Sequence, residues 1–330
     1  MREKLEQRQV WIYLVVILAG MFIGWRSPEL TETWELWLWP VLGVLLYTTF
    51  TQVPLIHLAS AFRDRRFLTA LLVGNFILVP LVVSVLLLLL RGYDPAVRLG
   101  VVMVLLVPCT DWFISFTHLG RGDSARAIAA APVLLIAQLA LLPVYIWLFM
   151  GNLAIELAVS SHLLPAFFGL IVVPLILAWL TERWAEQRSL ARTFVDRLGW
   201  LPVPLLALVV FLIAGSQVRL VLENGALLWP VLVVFVVYLV AAAFSGKLLY
   251  RLFKLTPAAG RTLTFSLGTR NSFVMLPLAL SLPDAWRAAV VVIVFQSLVE
   301  LFGMLAYLRW VPQRMIPEYG SQHSVADMKH

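Results

Sequence analysis

Charged residues are scarce in this sequence. Asp, Glu, Lys and Arg make up only 13% of its 330 residues, whereas 62% are hydrophobic and 13 are Trp. The mean hydropathy is +0.92. So few charges cannot cover so much apolar surface in water, and a soluble globular protein is therefore excluded. The composition indicates a chain whose solvent is a lipid bilayer.

Cysteine is almost missing too, because Cys109 is the single one. A disulfide within the chain is therefore excluded. The five His residues show no spacing typical of metal ligands. No GxxxxGK phosphate-binding loop occurs, which argues against an ATP-driven pump carried on this chain. We expect no cofactor and no resident metal ion.

In place of charged residues and cysteines, the sequence contains long apolar stretches. A bilayer core about 30 Å thick requires about 20 mostly apolar residues per helix. Ten such stretches, here called segments one to ten, lie near residues 10–25, 36–55, 67–90, 97–119, 125–150, 162–181, 199–218, 226–246, 259–282 and 287–309. Their connections are too short for an extramembrane domain. We predict one all-α integral membrane domain of ten transmembrane helices.

Lys and Arg are distributed unevenly between the loops on the two sides of the membrane. If the amino terminus is cytoplasmic, loops on that side hold nineteen of the 25, the opposite loops hold five, and Arg270 lies within segment nine. The positive-inside rule then places both termini in the cytoplasm. Basic loops facing an anionic leaflet also account for the net charge of +7 without nucleic acid as a partner. We expect a multi-pass protein of the plasma membrane, and specifically of the inner membrane of a bacterium.

The ten segments divide into two sets of five. Because five is odd, the second set enters the membrane in the opposite sense, which predicts two inverted repeats, residues 1–155 and 156–312, and a cytoplasmic tail, 313–330. Segment four then corresponds to segment nine, and both are interrupted and polar at mid-depth, as at transporter binding sites. The interruptions read Pro108-Cys109-Thr110-Asp111-Trp112 and Gly268-Thr269-Arg270-Asn271-Ser272. Unwound backbone is tolerated at membrane depth only where protein buries it or water reaches it, so we expect the two breaks to face each other across a cavity.

Three charged residues lie at membrane depth. Placing Asp111 or Arg270 at the centre of a transmembrane helix costs roughly 2.5–3.5 kcal/mol each on membrane-insertion scales. Both residues are therefore candidates for a functional role. They either form a structural ion pair between two helices or act as a proton switch. Glu300 lies one turn from Gln296 in segment ten, where it serves either packing specificity or a proton relay.

Cys109 has two possible roles. A free cysteine is usually a small buried hydrophobe. Its position directly after Pro108, two residues before Asp111, would also let a soft sulfur contact a thiophilic solute. An intramembrane enzyme with Asp111 and Glu300 as a carboxylate pair is a more remote alternative, because no nucleophile, metal cluster or cofactor loop accompanies them. We therefore expect a transporter rather than an enzyme.

The two interruptions also carry a family resemblance. The stretch Val107–Phe113, the run Gly120–Asp123 and the run Gly268–Phe273 resemble the bile acid:sodium symporter superfamily, and within it most of all the arsenical-resistance (arsenite permease) branch. This resemblance implies that segments one, two, six and seven form a panel, and that the other six form a core in which broken helices four and nine cross at mid-membrane. It places substrate at that crossing. The implied substrate-binding residues are Cys109, Thr110, Asn271, Ser272 and Phe273, and the implied ion-coupling or paired charges are Asp111, Arg270 and Glu300.

The sequence departs from its relatives at informative positions. Sodium-coupled members carry a glutamate where Ser266 stands and a glutamine where Arg270 stands, and this exchange should expel a hard cation. Arsenite permeases carry a cysteine in segment four and an acid in segment ten, matched by Cys109 and Glu300, but their acid in segment nine is replaced by Val274. Our hypothesis is a secondary transporter that exports arsenite or a related trivalent metalloid in exchange for protons. The alternative is a carrier for a small organic anion, with Arg270 contacting the substrate.

Overall fold

The computed structural model describes residues 2–53, 62–151, 163–223 and 225–318. Within these ranges the regular secondary structure is helical, and the one strand-like pairing is an isolated bridge between Pro108 and Arg270. All ten predicted apolar segments are helical over most of their described length, which confirms an all-α chain. The predicted repeat boundary at 155/156 and the tail beyond residue 318 lie outside the described residues.

The helices follow the predicted segments closely. Segments one, two and eight are single helices, Arg2–Arg26, Trp34–Phe50 and Gly225–Leu252. Segment three is the helical run Arg65–Leu90, segment five is Ser124–Met150, and segment ten is Ala288–Trp310 with a final π-turn, Val311–Met315. Segment seven is Pro202–Ser216, and the helix Ser189–Leu198 precedes the predicted stretch. The remaining segments consist of consecutive helices: Pro95–Leu105 and Trp112–Leu119 (four), Leu163–Ala166, Phe167–Val172 and Val173–Gln187 (six), and Pro257–Gly268 and Ser272–Leu280 (nine).

Six of these helical runs are long and apolar enough to cross a bilayer: Arg65–Leu90, Ser124–Met150, Phe167–Gln187, Ala191–Ser216, Leu228–Leu252 and Asp284–Met315. They correspond to segments three, five, six, seven, eight and ten. Segments four and nine fall short because each is split into two helices, and the described apolar parts of segments one and two are shorter, Trp11–Arg26 and Leu36–Phe50. The ten-helix topology and the side on which each terminus lies stay predictions.

Large apolar side chains cover much of the outer surface. Trp11, Phe22, Leu36, Trp229 and Leu252 each expose more than half of their area. An exposed apolar surface of this extent would be an aggregation hazard in water. It is the expected outer surface of helices that face lipid hydrocarbon, where all backbone hydrogen bonds must be made internally.

The helices pack in two groups. In one group, segment one packs on segment seven, and segment two packs on both six and seven. In the other, segment eight packs on nine and ten, segment ten packs on four and nine, and the second helix of segment four lies between five and nine. These groups match the panel and the core that the family resemblance implies.

Segments one and seven approach each other through glycine. A Cβ atom added to Gly24 would overlap the carbonyl oxygen of Gly215, and one added to Gly20 would meet that of Phe211. Small residues at a helix interface allow two backbones to come this close, and packing then holds the helices together in lipid. The absence of a side chain at Gly24 is therefore a structural requirement.

We predict that Gly24→Ala destabilises the protein by about 1–3 kcal/mol, because the added methyl group overpacks a backbone contact. Gly169→Ala is the matched control, since nothing lies within 4 Å of the Cβ position there. The measurement is the midpoint of thermal unfolding in detergent. Alanine favours helix over glycine, so the control should be neutral or stabilised. Equal midpoints for the two variants would contradict the close-packing argument.

Candidate substrate site at two broken helices

The breaks in segments four and nine lie side by side. The amide of Cys109 donates to the carbonyl of Thr269 (3.2 Å), and the amide of Asn271 donates to the carbonyl of Val107 (2.8 Å). Pro108 has no amide hydrogen and disfavours helix at the preceding residue, which explains why segment four unwinds here. Each break thus satisfies backbone groups of the other. The two breaks face each other as predicted, and these backbone hydrogen bonds join them directly. The predicted cavity between them stays a prediction.

Two half-helices begin at the breaks. Asn271 caps the second helix of segment nine, because its Oδ1 accepts from the amide of Val274 (3.2 Å). Asp111 occupies the N-cap position of the helix that begins at Trp112. Helix amino termini carry partial positive charge, so both half-helices direct that charge toward the breaks.

Arg270 is buried at this meeting point, with only 1% of its surface exposed. Its Nη2 donates to Asn75 Oδ1 (2.8 Å) and to the carbonyls of Ser266 (2.6 Å) and Leu267 (3.0 Å). Its Nη1 donates to the carbonyl of Leu105 (3.3 Å). These acceptors are neutral oxygens, and Asp111 is not among them. The pairing of Asp111 with Arg270 therefore stays a prediction.

Two residues outside the predicted set support Arg270. Asn75, in segment three, also donates from its Nδ2 to Ser266 Oγ (3.0 Å), which fixes its oxygen toward the guanidinium. The ring of Tyr238, in segment eight, lies 5.7 Å from the guanidinium carbon, within cation–π range. The sequence offered a signal for Asn75, because an amide within an otherwise apolar span is itself unusual. It offered little for Tyr238.

Glu300 connects the backbone of Arg270 to a chain of hydrogen-bonded polar side chains. Its Oε2 accepts from the backbone amide of Arg270 (2.9 Å) and from Gln296 Nε2 (2.7 Å). Ser272 Oγ in turn donates to Gln296 Oε1 (2.6 Å). The prediction that Gln296 and Glu300 share a helix face is confirmed. Among the described residues, Glu300 Oε1 and Arg270 Nε are buried and have no hydrogen-bond partner.

The predicted substrate residues surround the same point. Cys109, Thr110, Asn271 and Ser272 are all buried. The half-buried Phe273 packs edge-on against Trp112, with ring centroids 5.3 Å apart. No group of three or more His, Cys, Asp or Glu able to hold a metal ion occurs in the described part of the chain.

Trp112 connects the site to the panel. Its ring also stacks with Tyr13 of segment one, at a centroid distance of 6.1 Å. The sequence pattern predicted no role for Trp112 beyond its place in the interrupted motif of segment four. Its contacts make it the aromatic link between segments one, four and nine.

A bundle of apolar helices with two broken helices paired at a polar centre is the architecture of a secondary transporter. The profile of the Sodium Bile acid symporter family matches residues 39–224, which is more than half of the chain. The chain therefore belongs to this family of membrane transporters, and it is a multi-pass membrane protein. The match includes the break in segment four and ends before segment nine. No curated protein matches the chain.

We predict that Arg270→Ala is strongly destabilising, by at least about 3 kcal/mol, because it leaves buried acceptors without donors and Glu300 without a nearby cation. Arg251→Ala is the control, since Arg251 is exposed on segment eight. Thermal unfolding of both purified variants in the same detergent provides the comparison. If Arg270→Ala unfolds at the temperature of the control, the guanidinium contacts do not hold the core together.

Proposed function

We propose that this protein is a secondary active transporter that exports arsenite or a related trivalent metalloid in exchange for protons, without sodium. Its family membership supplies the transporter class. The observation that carries the proposal is the position of Cys109, the sole thiol of the chain, in the break of segment four and hydrogen-bonded through its backbone to the break of segment nine.

The proposed architecture has ten transmembrane helices in two inverted repeats, 1–155 and 156–312, with both termini cytoplasmic. The basic loops support the orientation through the positive-inside rule. The pairing of break with break supports the repeat, because corresponding segments of two inverted halves meet at the repeat interface.

Substrate binds at Cys109, Thr110, Asn271, Ser272 and Phe273 in this proposal. A soft thiolate or thiol is a suitable ligand for a thiophilic metalloid, and hydroxyl and amide groups beside it can bond the metalloid's hydroxyls. A single thiol holds the solute weakly enough for release, as conduction requires.

Arg270 makes a coupling metal ion unnecessary in this proposal. Its guanidinium already donates hydrogen bonds to four oxygen atoms in segments three, four and nine. A hard cation such as sodium requires such oxygens and would be repelled by the fixed charge. We infer that the protein binds its substrate without sodium.

Glu300 is the proposed proton carrier. Its Oε1 has no partner among the described residues, while Oε2 connects through Gln296 to Ser272. A proton taken up at Glu300 converts the carboxylate into a hydrogen-bond donor and so changes what Gln296 and Ser272 can offer to the substrate. Loss of the proton on the other side of the membrane resets the site.

A carrier for a small organic anion is the second candidate. The family's description names a bile acid, and Arg270 Nε is a buried donor without a partner among the described residues. Nη2 already donates to three oxygens and Nη1 to one, which leaves the Nε hydrogen and the second Nη1 hydrogen for a carboxylate or sulfonate. Such a carrier should be inhibited by organic anions and indifferent to the loss of Cys109.

We predict that cells lacking their own exporter accumulate less arsenite when they express this protein, and that Cys109→Ala abolishes most of this protection. The measurement is cell-associated arsenic at matched expression. Val104→Ala is the control, because it removes a side chain of similar size from the same buried segment without touching the thiol. Unchanged arsenite with the wild-type protein, or equal protection by Cys109→Ala, would exclude thiol-assisted export and direct the search to organic anions.

We further predict that transport into proteoliposomes responds to a proton gradient and is unaffected by a sodium gradient. Glu300→Gln should abolish the response to pH while leaving substrate binding within about tenfold, since the amide keeps the size but cannot exchange a proton. Ser297→Ala, on the same helix, is the control and should retain the response. Transport driven by sodium alone would refute the proposed role of Arg270.

A further inference from the structure

A second polar feature lies far from the breaks, at one end of segments three, four and five. A cavity of about 430 Å³ opens there, and its lining includes Arg91, Arg98, Leu87, Leu88, Leu148 and Phe149. The two arginines form its cationic part, the four Leu and Phe side chains form its apolar part, and Ser84 completes the lining. Neither the proposed transport cycle nor the family match assigns a role to it.

The cavity lies at the ends of three apolar helical segments. Arg91 directly follows the end of the span Arg65–Leu90, Arg98 lies in the first turn of Pro95–Leu105, and Phe149 lies in the last turn of Ser124–Met150. Tyr93 and Trp147 are both exposed beside it. Exposed Tyr and Trp at helix ends mark the headgroup region of a bilayer. The two arginines are therefore at the depth of lipid phosphates.

Within the described ranges, no carboxylate pairs with either of these two arginines. Of the five arginines assigned to this side of the membrane, Arg287 pairs with Asp284 (2.9 Å), and Arg26 and Arg219 share a pocket with Glu29. Among the described residues, Arg91 and Arg98 form no salt bridge. The neighbouring Asp94 instead caps its own helix, its Oδ1 accepting from the amide of Ala96 (2.8 Å).

Arg98 offers a buried donor to this cavity. Its Nε is buried and has no hydrogen-bond partner in the described ranges. A buried N–H without an acceptor is unfavourable, and a guanidinium satisfies it best with a phosphate or carboxylate. Leu88 and Leu148, which expose half or more of their surface, line the same cavity as the two arginines. A ligand that suits both parts carries an anionic head and an apolar chain.

We propose that this cavity is a binding site for an anionic phospholipid, whose phosphate contacts Arg91 and Arg98 and whose acyl chain lies along Leu87, Leu88 and Leu148. The site joins the ends of segments three, four and five. A bound lipid would therefore hold the first broken helix against its neighbours. The proposal does not depend on which solute the protein transports.

The test is lipid binding to the purified full-length protein in an uncharged detergent, measured by native mass spectrometry. Dioleoyl phosphatidylglycerol is titrated against dioleoyl phosphatidylcholine. The wild-type protein should prefer the anionic lipid, and the double variant Arg91→Gln/Arg98→Gln should lose about fivefold in affinity for each arginine removed. Arg26→Gln/Arg219→Gln, which removes the same charge from the pocket that contains Glu29, should retain the preference.

Two further arms distinguish the alternatives. Inorganic phosphate and glycerol phosphate should not displace the lipid at millimolar concentration, and displacement by either would mean a soluble-anion site instead. If the double variant does not fold, the single variant at the exposed Arg91 is used. No preference of the wild-type protein for the anionic lipid, or an equal loss in both double variants, would overturn the proposal.

Discussion

The buried guanidinium of Arg270 is the constraint on which the core of this protein depends. A cation withdrawn from water must find acceptors for its hydrogens, and here they come from Asn75 in segment three, from the carbonyl of Leu105 in segment four, and from carbonyls of segment nine itself. Its backbone amide adds Glu300 in segment ten. One residue thereby fixes the relative positions of four segments, and burial makes each contact costly to lose.

The two breaks depend on each other in a similar way. Segment four unwinds at Pro108 and segment nine at Thr269–Asn271, and each unwound stretch supplies the hydrogen-bond partners that the other lacks. Neither break would be tolerable alone at membrane depth. The site is thus made of backbone as much as of side chains, and the thiol of Cys109 and the hydroxyl of Ser272 are held by a pairing that involves neither side chain.

Much of this could be predicted from the sequence, because hydropathy sets helix position and Pro or charge marks a break. The ten helical segments, the facing breaks and the Gln296–Glu300 face followed from such local signals. The partners of Arg270 did not. The free-energy cost of burying a charge in a membrane shows that Arg270 needs hydrogen-bond acceptors. Neutral carbonyls and the Asn75 amide can provide them as well as a carboxylate. Which acceptor lies nearest to the guanidinium depends on how each helix is rotated about its axis. Packing partners such as Tyr238 and Trp112 set this rotation.

A fixed internal cation also has an electrical consequence. Because Arg270 is part of the chain, its charge returns with the protein in every cycle and adds nothing to the net charge carried across the membrane. In the proposed cycle, exchange of one uncharged solute for one proton would move one positive charge inward per turnover. The transmembrane voltage, worth about 2.3 kcal/mol per elementary charge at 100 mV, would then drive expulsion of the solute directly, even where the pH on the two sides is equal.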